Sequence, residues 1–347
     1  MNTTPADSSP PNDHLVGVTF FFVLSERPLV FVISAGKTLR TGLGLALHYA
    51  KGRACHLLVR SSWFIPEIAP EIVRVDRWLR SDHPNAKLVS LVPTEFGLRY
   101  LTDAGIDAIW AHNTAFVDEG VFYPESGVAK LYDAVHNAQT GAFKRHELAH
   151  GVKNLALITY DEKGSARTLT DLVRGYRSLS FANYSEQEGF RGLDGDGIRF
   201  VLNRARCGLA LSAVEGPHNA SMEYFLCGLP LVTTRALGGR EEMYDPRHVT
   251  IVEPRAEAVE AAVAAYVERA PDALEIRASA LTKARPHRAR LIAWLSNLAG
   301  EDLFARAGEN LWLPQFRDKL RQSWRIEPRP GGGAVGFPIP GWAKPHP

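Results

Sequence analysis

Apolar residues follow two alternating rhythms along this chain. Residues 16–24 ("VGVTFFFVL") and 29–34 ("LVFVIS") are short, β-branched and aromatic, and turn residues 25–28 separate them. Both runs predict strands. In "GKTLRTGLGLALHYAKG" the apolar positions recur at helical spacing after Thr41, and "ACHLLVRS" next predicts a buried strand. A helix over "IAPEIVRVDRWLRSDH" and a strand over "AKLVSLVP" follow. Then come a helix in "TEFGLRYLTDAG", with Thr94 as its cap, and the strand "IDAIWAH". Strand and helix in strict alternation predict an α/β domain with a parallel sheet.

The rhythm relaxes over 113–130 ("NTAFVDEGVFYPESGVAK"), which reads as an inter-domain linker, and then resumes. A helix over "FKRHELAHGV" precedes the strand "LALITY", and a helix over "ARTLTDLVRGY" precedes the short strand "SFANY". The helix "DGIRFVLNRAR" leads into "GLALS", and "PLVTT" and "VTIVE" are further strands before the helix "RAEAVEAAVAAYVERAP". After His287 the pattern is helical to "QFRDKLRQSW", and the Pro/Gly-rich end reads as loosely ordered. A chain of 347 residues is long for a single core. The expected organisation is a disordered tail (1–14), a first α/β domain (15–125), a second (126–290), helices (291–330) and a Pro/Gly-rich tail (331–347).

Composition narrows the function. At 45% hydrophobic and 22% charged, with a net charge of +2, the chain has no dominant basic stripe, which argues against a nucleic-acid surface. Its longest basic cluster, "KARPHRAR" (283–290), reads as a solvated helix face. Cys55, Cys207 and Cys227 are far apart and odd in number, which fits neither a disulfide framework nor a C-x-x-C metal site. Each N-terminal apolar run is too short to span a bilayer, and "MNTTPADSSPPNDH" lacks the basic start of a signal peptide. A cytoplasmic protein without a transmembrane segment is expected.

Three motifs invite an over-reading. "GKT" at 36–38 lacks the glycine a phosphate loop needs five positions earlier, where Phe31 stands, and Gly42 and Gly44 lack the third glycine of a dinucleotide fingerprint. "DGD" at 194–196 could hold a divalent metal, but before a helix it reads first as a turn and cap.

"EGPHNASMEYFLCGLPLV" (215–232) is different because several physical demands coincide there. It follows the buried strand "GLALS", and open α/β sheets bind ligands at the carboxyl ends of their strands. Gly216 and Pro217 turn the chain. Asn219, Ala220 and Ser221 are small residues at a helix start, where backbone N–H groups and the helix dipole favour a phosphate. Carboxylates beside a phosphate are unfavourable unless they bind something else, and vicinal hydroxyls suit them. One glutamate for a ribose, the other for a sugar and a diphosphate between them describe a nucleotide-sugar.

The same residues, with "YFLCGLPLVTT", "LGGREE", "LNRARCGLALS" and "FVDEGVFYP", resemble the donor half of retaining GT-B glycosyltransferases of the large family 4 type. The resemblance covers about residues 110 to 260. It implies two Rossmann-like α/β domains facing a cleft, with the C-terminal helices packing back onto the first. Glu215 would face the transferred sugar, Glu223 would hold the ribose hydroxyls, and the backbone at Gly216 and 219–221 would take the diphosphate. The family's basic pair maps onto Lys144 and, where an arginine is expected, the neutral Gln139; Arg145 is the candidate to compensate. His218, inside the loop, joins the donor-binding candidates, and His112 ends the last strand of the first half. The implied activity is metal-independent sugar transfer with retention, without a cofactor. Donor base, sugar and acceptor stay open. A binding protein that keeps the fold without turnover is the alternative, supported by Gln139 and the short first half. A metal-dependent enzyme using Asp194 and Asp196 is a further one.

Overall fold

In a computed structural model the described residues are 20–35, 40–61, 63–159, 176, 178–185, 187, 189–317, 323–328 and 334–339. The chain divides into two compact units, one of residues 1–113 with 289–343 and the other mainly of 114–288.

The first unit opens with the antiparallel pair β1 (Phe20–Glu26) and β2 (Leu29–Ala35). Three strands, β3 (Cys55–Ser61), β4 (Ala86–Val92) and β5 (Ala108–Trp110), extend the sheet in parallel from β2. The connections are α1 (Arg40–Ala50), α2 (Ile65–Asp82) and α3 (Glu95–Asp103). On α2 the buried residues Ile65, Ile68, Ile72, Val75 and Leu79 recur every three or four positions, so one face meets Phe31, Ile33, Leu57 and Val59 of the sheet. Thr94 caps α3 as its sequence predicts, its hydroxyl accepting from the Gly97 amide at 3.0 Å.

The second unit is built on a six-stranded, wholly parallel sheet. In chain order its elements are β6 (Ala134–Asn137), β7 (Leu155–Ile158), β8 (Leu179–Phe181), the small hairpin β9 (Tyr184–Ser185) and β10 (Gly189–Phe190), and α4 (Gly195–Leu202). β11 (Gly208–Ala210), α5 (Asn219–Leu226), β12 (Leu231–Thr234), β13 (Val249–Val252) and α6 (Ala256–Glu268) complete it. The spatial order is β13-β12-β11-β6-β7-β8. Gly208 has a packing reason: a Cβ there would stand 2.1 Å from the Tyr224 ring of α5. The long helix α7 (Ala273–Ala299) contains the division between the units, and α8 (Phe304–Ala307) follows it.

Several expectations need correction. Residues 143–152 form no α-helix but two 3₁₀ turns, Ala142–Lys144 and His146–Ala149, with Arg145 between them at φ 48°. That left-handed backbone breaks the helical path, and Arg145 is held there by hydrogen bonds to the Leu211 carbonyl and the Thr234 hydroxyl. The basic cluster 283–290 is not uniformly solvated: Arg288 is fully buried and pairs with Glu119 at 2.6 Å. The Pro/Gly-rich end is not wholly irregular. β14 (Ser323–Pro328) stands where helices are expected (291–330) and β15 (Ala334–Ile339) in the Pro/Gly-rich tail; the two pair antiparallel, and β14 also pairs with β1. Strand pairing runs through the main chain, so a side-chain pattern does not announce it. The helix expected over 166–176 (apart from Tyr176), the "GKT" at 36–38 and the tail 1–14 lie outside the described residues. Among the described residues no helix is long and apolar enough to cross a membrane.

Candidate functional site

The strand order of the second unit reverses between β6 and β11. From β6 the chain proceeds through β7 to β8 on one side, then returns to β11 on the other. The loops leaving two such neighbours diverge and open a crevice at their carboxyl ends, where open α/β sheets take their ligands. β6 ends in Asn137, the loop after it carries Gln139, Lys144 and Arg145, and the loop after β11 carries Glu215, Gly216 and His218. Topology therefore brings together residues some seventy positions apart in sequence.

Glu215 is the centre of this arrangement. Its Oε1 accepts from the Lys144 ammonium, and both side chains are largely buried, at 13% and 8% exposure. Its Oε2 lies 3.8 Å from His218 Nε2 and 3.7 Å from Arg240 Nη1, and has no hydrogen-bond partner among the described residues. Burial by itself would raise the Glu215 carboxyl, but the neighbouring His218 and Lys144 outweigh it and hold the group at about 2. Glu215 is thus a carboxylate with one oxygen committed to a cation and one able to accept a hydroxyl.

The helix start beside it is built by α5. His218, expected as a loop histidine with access to substrate, is buried and serves as the N-cap. Its Nδ1 accepts from the Ser221 amide at 3.2 Å and lies 2.7 Å from the Ser221 hydroxyl, which also meets Tyr244 Oη at 3.1 Å. Its other ring nitrogen, Nε2, faces Glu215. Gly216 and Ala220 are buried, and Asn219, at the first helical position, is partly exposed. Asn219 Oδ1 has no hydrogen-bond partner among the described residues.

Glu223, one turn into the helix, is 2% exposed and accepts from Asn137 Nδ2 at 3.2 Å. The Asn137 amide in turn donates to Tyr224 Oη at 2.8 Å. The end of β6 and α5 are thereby tied through both of these α5 residues. Glu215 and Glu223 have different surroundings in this geometry: the first faces Lys144 and Arg240, the second meets the end of β6.

Arg145 is committed to the scaffold, joining the Leu211 carbonyl to the Thr234 hydroxyl. Gln139 is held through its backbone, whose carbonyl accepts from His146 Nε2 at 2.9 Å while His146 Nδ1 meets Tyr176 Oη at 2.8 Å. Asp194 caps α4, its carboxylate accepting from the Gly197 amide at 2.8 Å, and Asp196 pairs with Arg199 at 2.6 Å. His112 is buried in the first unit. The residues that motif spacing missed are Asn137 and Arg240. Asn137 carries no sequence signal beyond ending a strand. Arg240 follows two glycines in "LGGREE", and that pair was the available clue.

Comparison with known proteins begins in structure, since no protein-family model and no curated protein match the sequence. HepE from Anabaena in complex with UDP aligns with a TM-score of 0.51 at 15% identity, covering 77% of this chain and 78% of that one. A TarM variant from S. aureus, in complex with fondaparinux, alpha-GlcNAc-glycerol and UDP, aligns at 0.50 and 14% identity over 76% of this chain. This chain spans 59% of TarM. The N-terminal domain of Candida albicans trehalose-6-phosphate phosphatase aligns at 0.51 and 10% identity, covering 74% of this chain and 73% of that one. The fold is GT-B. This is the fold that the resemblance over about residues 110–260 implied.

Proposed function

We propose that this protein transfers a sugar from a nucleotide-sugar donor to an acceptor, with retention at the anomeric carbon and without a metal. The observation that carries the reading is Glu215, a buried carboxylate at the sheet's switch point with one oxygen on Lys144 and the other without a hydrogen-bond partner. A sugar hydroxyl donating to that oxygen would be oriented beside the N-terminus of α5. The charge left on the departing diphosphate would be met by Lys144 and by the backbone at Gly216, Asn219, Ala220 and Ser221. As the bond to the diphosphate lengthens, positive charge grows at the anomeric carbon, and the Glu215 carboxylate is a favourable neighbour for it. Protein cations take up the charge a metal would otherwise neutralise, so activity is expected to persist in EDTA. Glu223 would hold the ribose hydroxyls in this reading, exchanging Asn137 for them.

HepE and the TarM variant were both solved with UDP, which makes UDP-sugars the first donors to test. The experiment is a thermal-shift screen of UDP-, GDP- and ADP-sugars, because a ligand that binds only the native state raises the melting temperature. One nucleotide series is expected to stabilise the protein and to release nucleoside diphosphate on turnover. Binding without sugar release would favour a non-catalytic relative, and no stabilisation by any of the three would refute the proposal.

A further inference from the structure

Arg240 is among the largest fully buried side chains of the molecule, at 1% exposure. Only its Nη2 is engaged, donating to the Thr233 hydroxyl at 3.0 Å and the Thr234 carbonyl at 2.6 Å. Nε and Nη1 have no hydrogen-bond partner among the described residues. A guanidinium does not shed its proton in a protein, so burial leaves a full positive charge and two nitrogens, carrying three N–H donors, unsatisfied. Both conditions are costly unless an acceptor arrives.

The surroundings select the kind of acceptor. The nearest carboxylate oxygen, Glu215 Oε2, is 3.7 Å from Nη1, too far for a hydrogen bond, and Oε1 of the same group already serves Lys144. Arg145 lies close enough that, after burial itself, the Arg240 charge contributes to lowering its pKa. One carboxylate thus faces the two cations Lys144 and Arg240, an excess of positive charge that an anion would balance.

The backbone builds this placement firmly. Gly238 and Gly239 adopt φ 117° and 93°, and a Cβ on Gly238 would stand 2.4 Å from the Glu215 carbonyl. Leu237 and Glu215 are hydrogen-bonded through the main chain at 2.8 Å. The loop that delivers Arg240 is therefore fastened to the loop that delivers Glu215.

We propose that Arg240 is a diphosphate-binding residue, donating Nε–H and Nη1–H to an anionic oxygen of the donor held beside Glu215 and Lys144. The proposal rests on the nucleotide-sugar reading above. It gives the site a second cation although Gln139 is neutral and Arg145 is spent on Leu211 and Thr234.

The test measures affinity of the wild type, Arg240→Gln and Arg240→Lys for UDP, GDP and ADP by calorimetry, with uridine, guanosine and adenosine as uncharged controls. For the nucleoside diphosphate that binds the wild type, Arg240→Gln is expected to lose at least tenfold in affinity. Arg240→Lys is expected to lose less, and binding of the matching nucleoside is expected to stay the same. Should Arg240→Gln fail to fold, Arg240→Lys decides. One ammonium cannot hold the Thr234 carbonyl and span two acceptor positions, so a several-fold loss of diphosphate affinity is expected from it. Unchanged diphosphate affinity in the folded variants overturns the proposal, as does an equal loss for the matching uncharged nucleoside. A wild type that binds none of the three nucleoside diphosphates would instead refute the nucleotide-sugar reading itself.

Discussion

Replacing Glu215 by Gln keeps the shape of the side chain and removes its charge. In the native protein burial opposes the carboxylate, yet His218 and Lys144 hold it at about 2 instead of the ordinary 4.5. A carboxyl depressed by folding stabilises the native state above its ordinary pKa, and that contribution is lost as the pH falls toward the native value. The gap corresponds to about 3 kcal/mol at pH 7, the size expected when one partner of a buried ion pair is removed. Taking about 2–4 °C per kcal/mol for a domain of this size, Glu215→Gln should lower the melting temperature of the 114–288 unit by roughly 6–12 °C. By pH 3 the carboxyl of the unfolded chain is protonated while native Glu215 is still mostly ionised, so the stability difference should shrink to about half or less. Urea unfolding at several pH values between 7 and 3, followed by far-UV circular dichroism, measures this. Tryptophan fluorescence is the wrong probe, because all seven tryptophans belong to the other unit. A difference that stays constant from pH 7 to pH 3, or one below about 1 kcal/mol at pH 7, would refute the ion-pair reasoning.

Three further outcomes are expected. Glu223→Ala should weaken nucleotide-sugar binding while Glu215→Ala mainly lowers turnover, as steady-state kinetics with the donor found by the screen would show; identical effects on KM and kcat in both would remove the division of roles. Gly208→Ala should destabilise the second unit by at least about 2 kcal/mol, because the added methyl meets the Tyr224 ring; chemical denaturation checks it, and a neutral effect would mean that α5 can shift at no cost. His218→Ala should cost about 1 kcal/mol through loss of the helix cap, and His218→Asn should restore most of it, since Asn caps well; equal melting temperatures for the two variants would count against the capping role.

Much of the fold was legible in the chain because burial on a sheet or helix repeats with a local period. Most strands of the two sheets (β6, β14 and β15 being the exceptions), the Thr94 cap and the stop of α5 at Cys227-Gly228 follow from neighbours a few positions apart. The 215–232 stretch was legible for the same reason: a strand end, a turn, small residues and a helix start are local. Reading failed where a distant partner decided the conformation. Residues 143–152 carry a helical pattern, yet bonds from Arg145 to the ends of β11 and β12 hold it in a left-handed turn. His218 looked like a solvated or substrate-facing side chain, and its capping role depends on where Ser221 and Glu215 stand around it.

The sequence by itself determined which residues are chemically capable: two carboxylates, a lysine, a small-residue helix start and a glycine pair. Tertiary structure alone decided which of them meet. Lys144 reaches Glu215 because β6 and β11 are neighbours at the point where the strand order reverses, and Arg240 reaches it because two glycines let one loop lie against another. A charge interaction depends on separation in space, and sequence spacing records only separation along the chain.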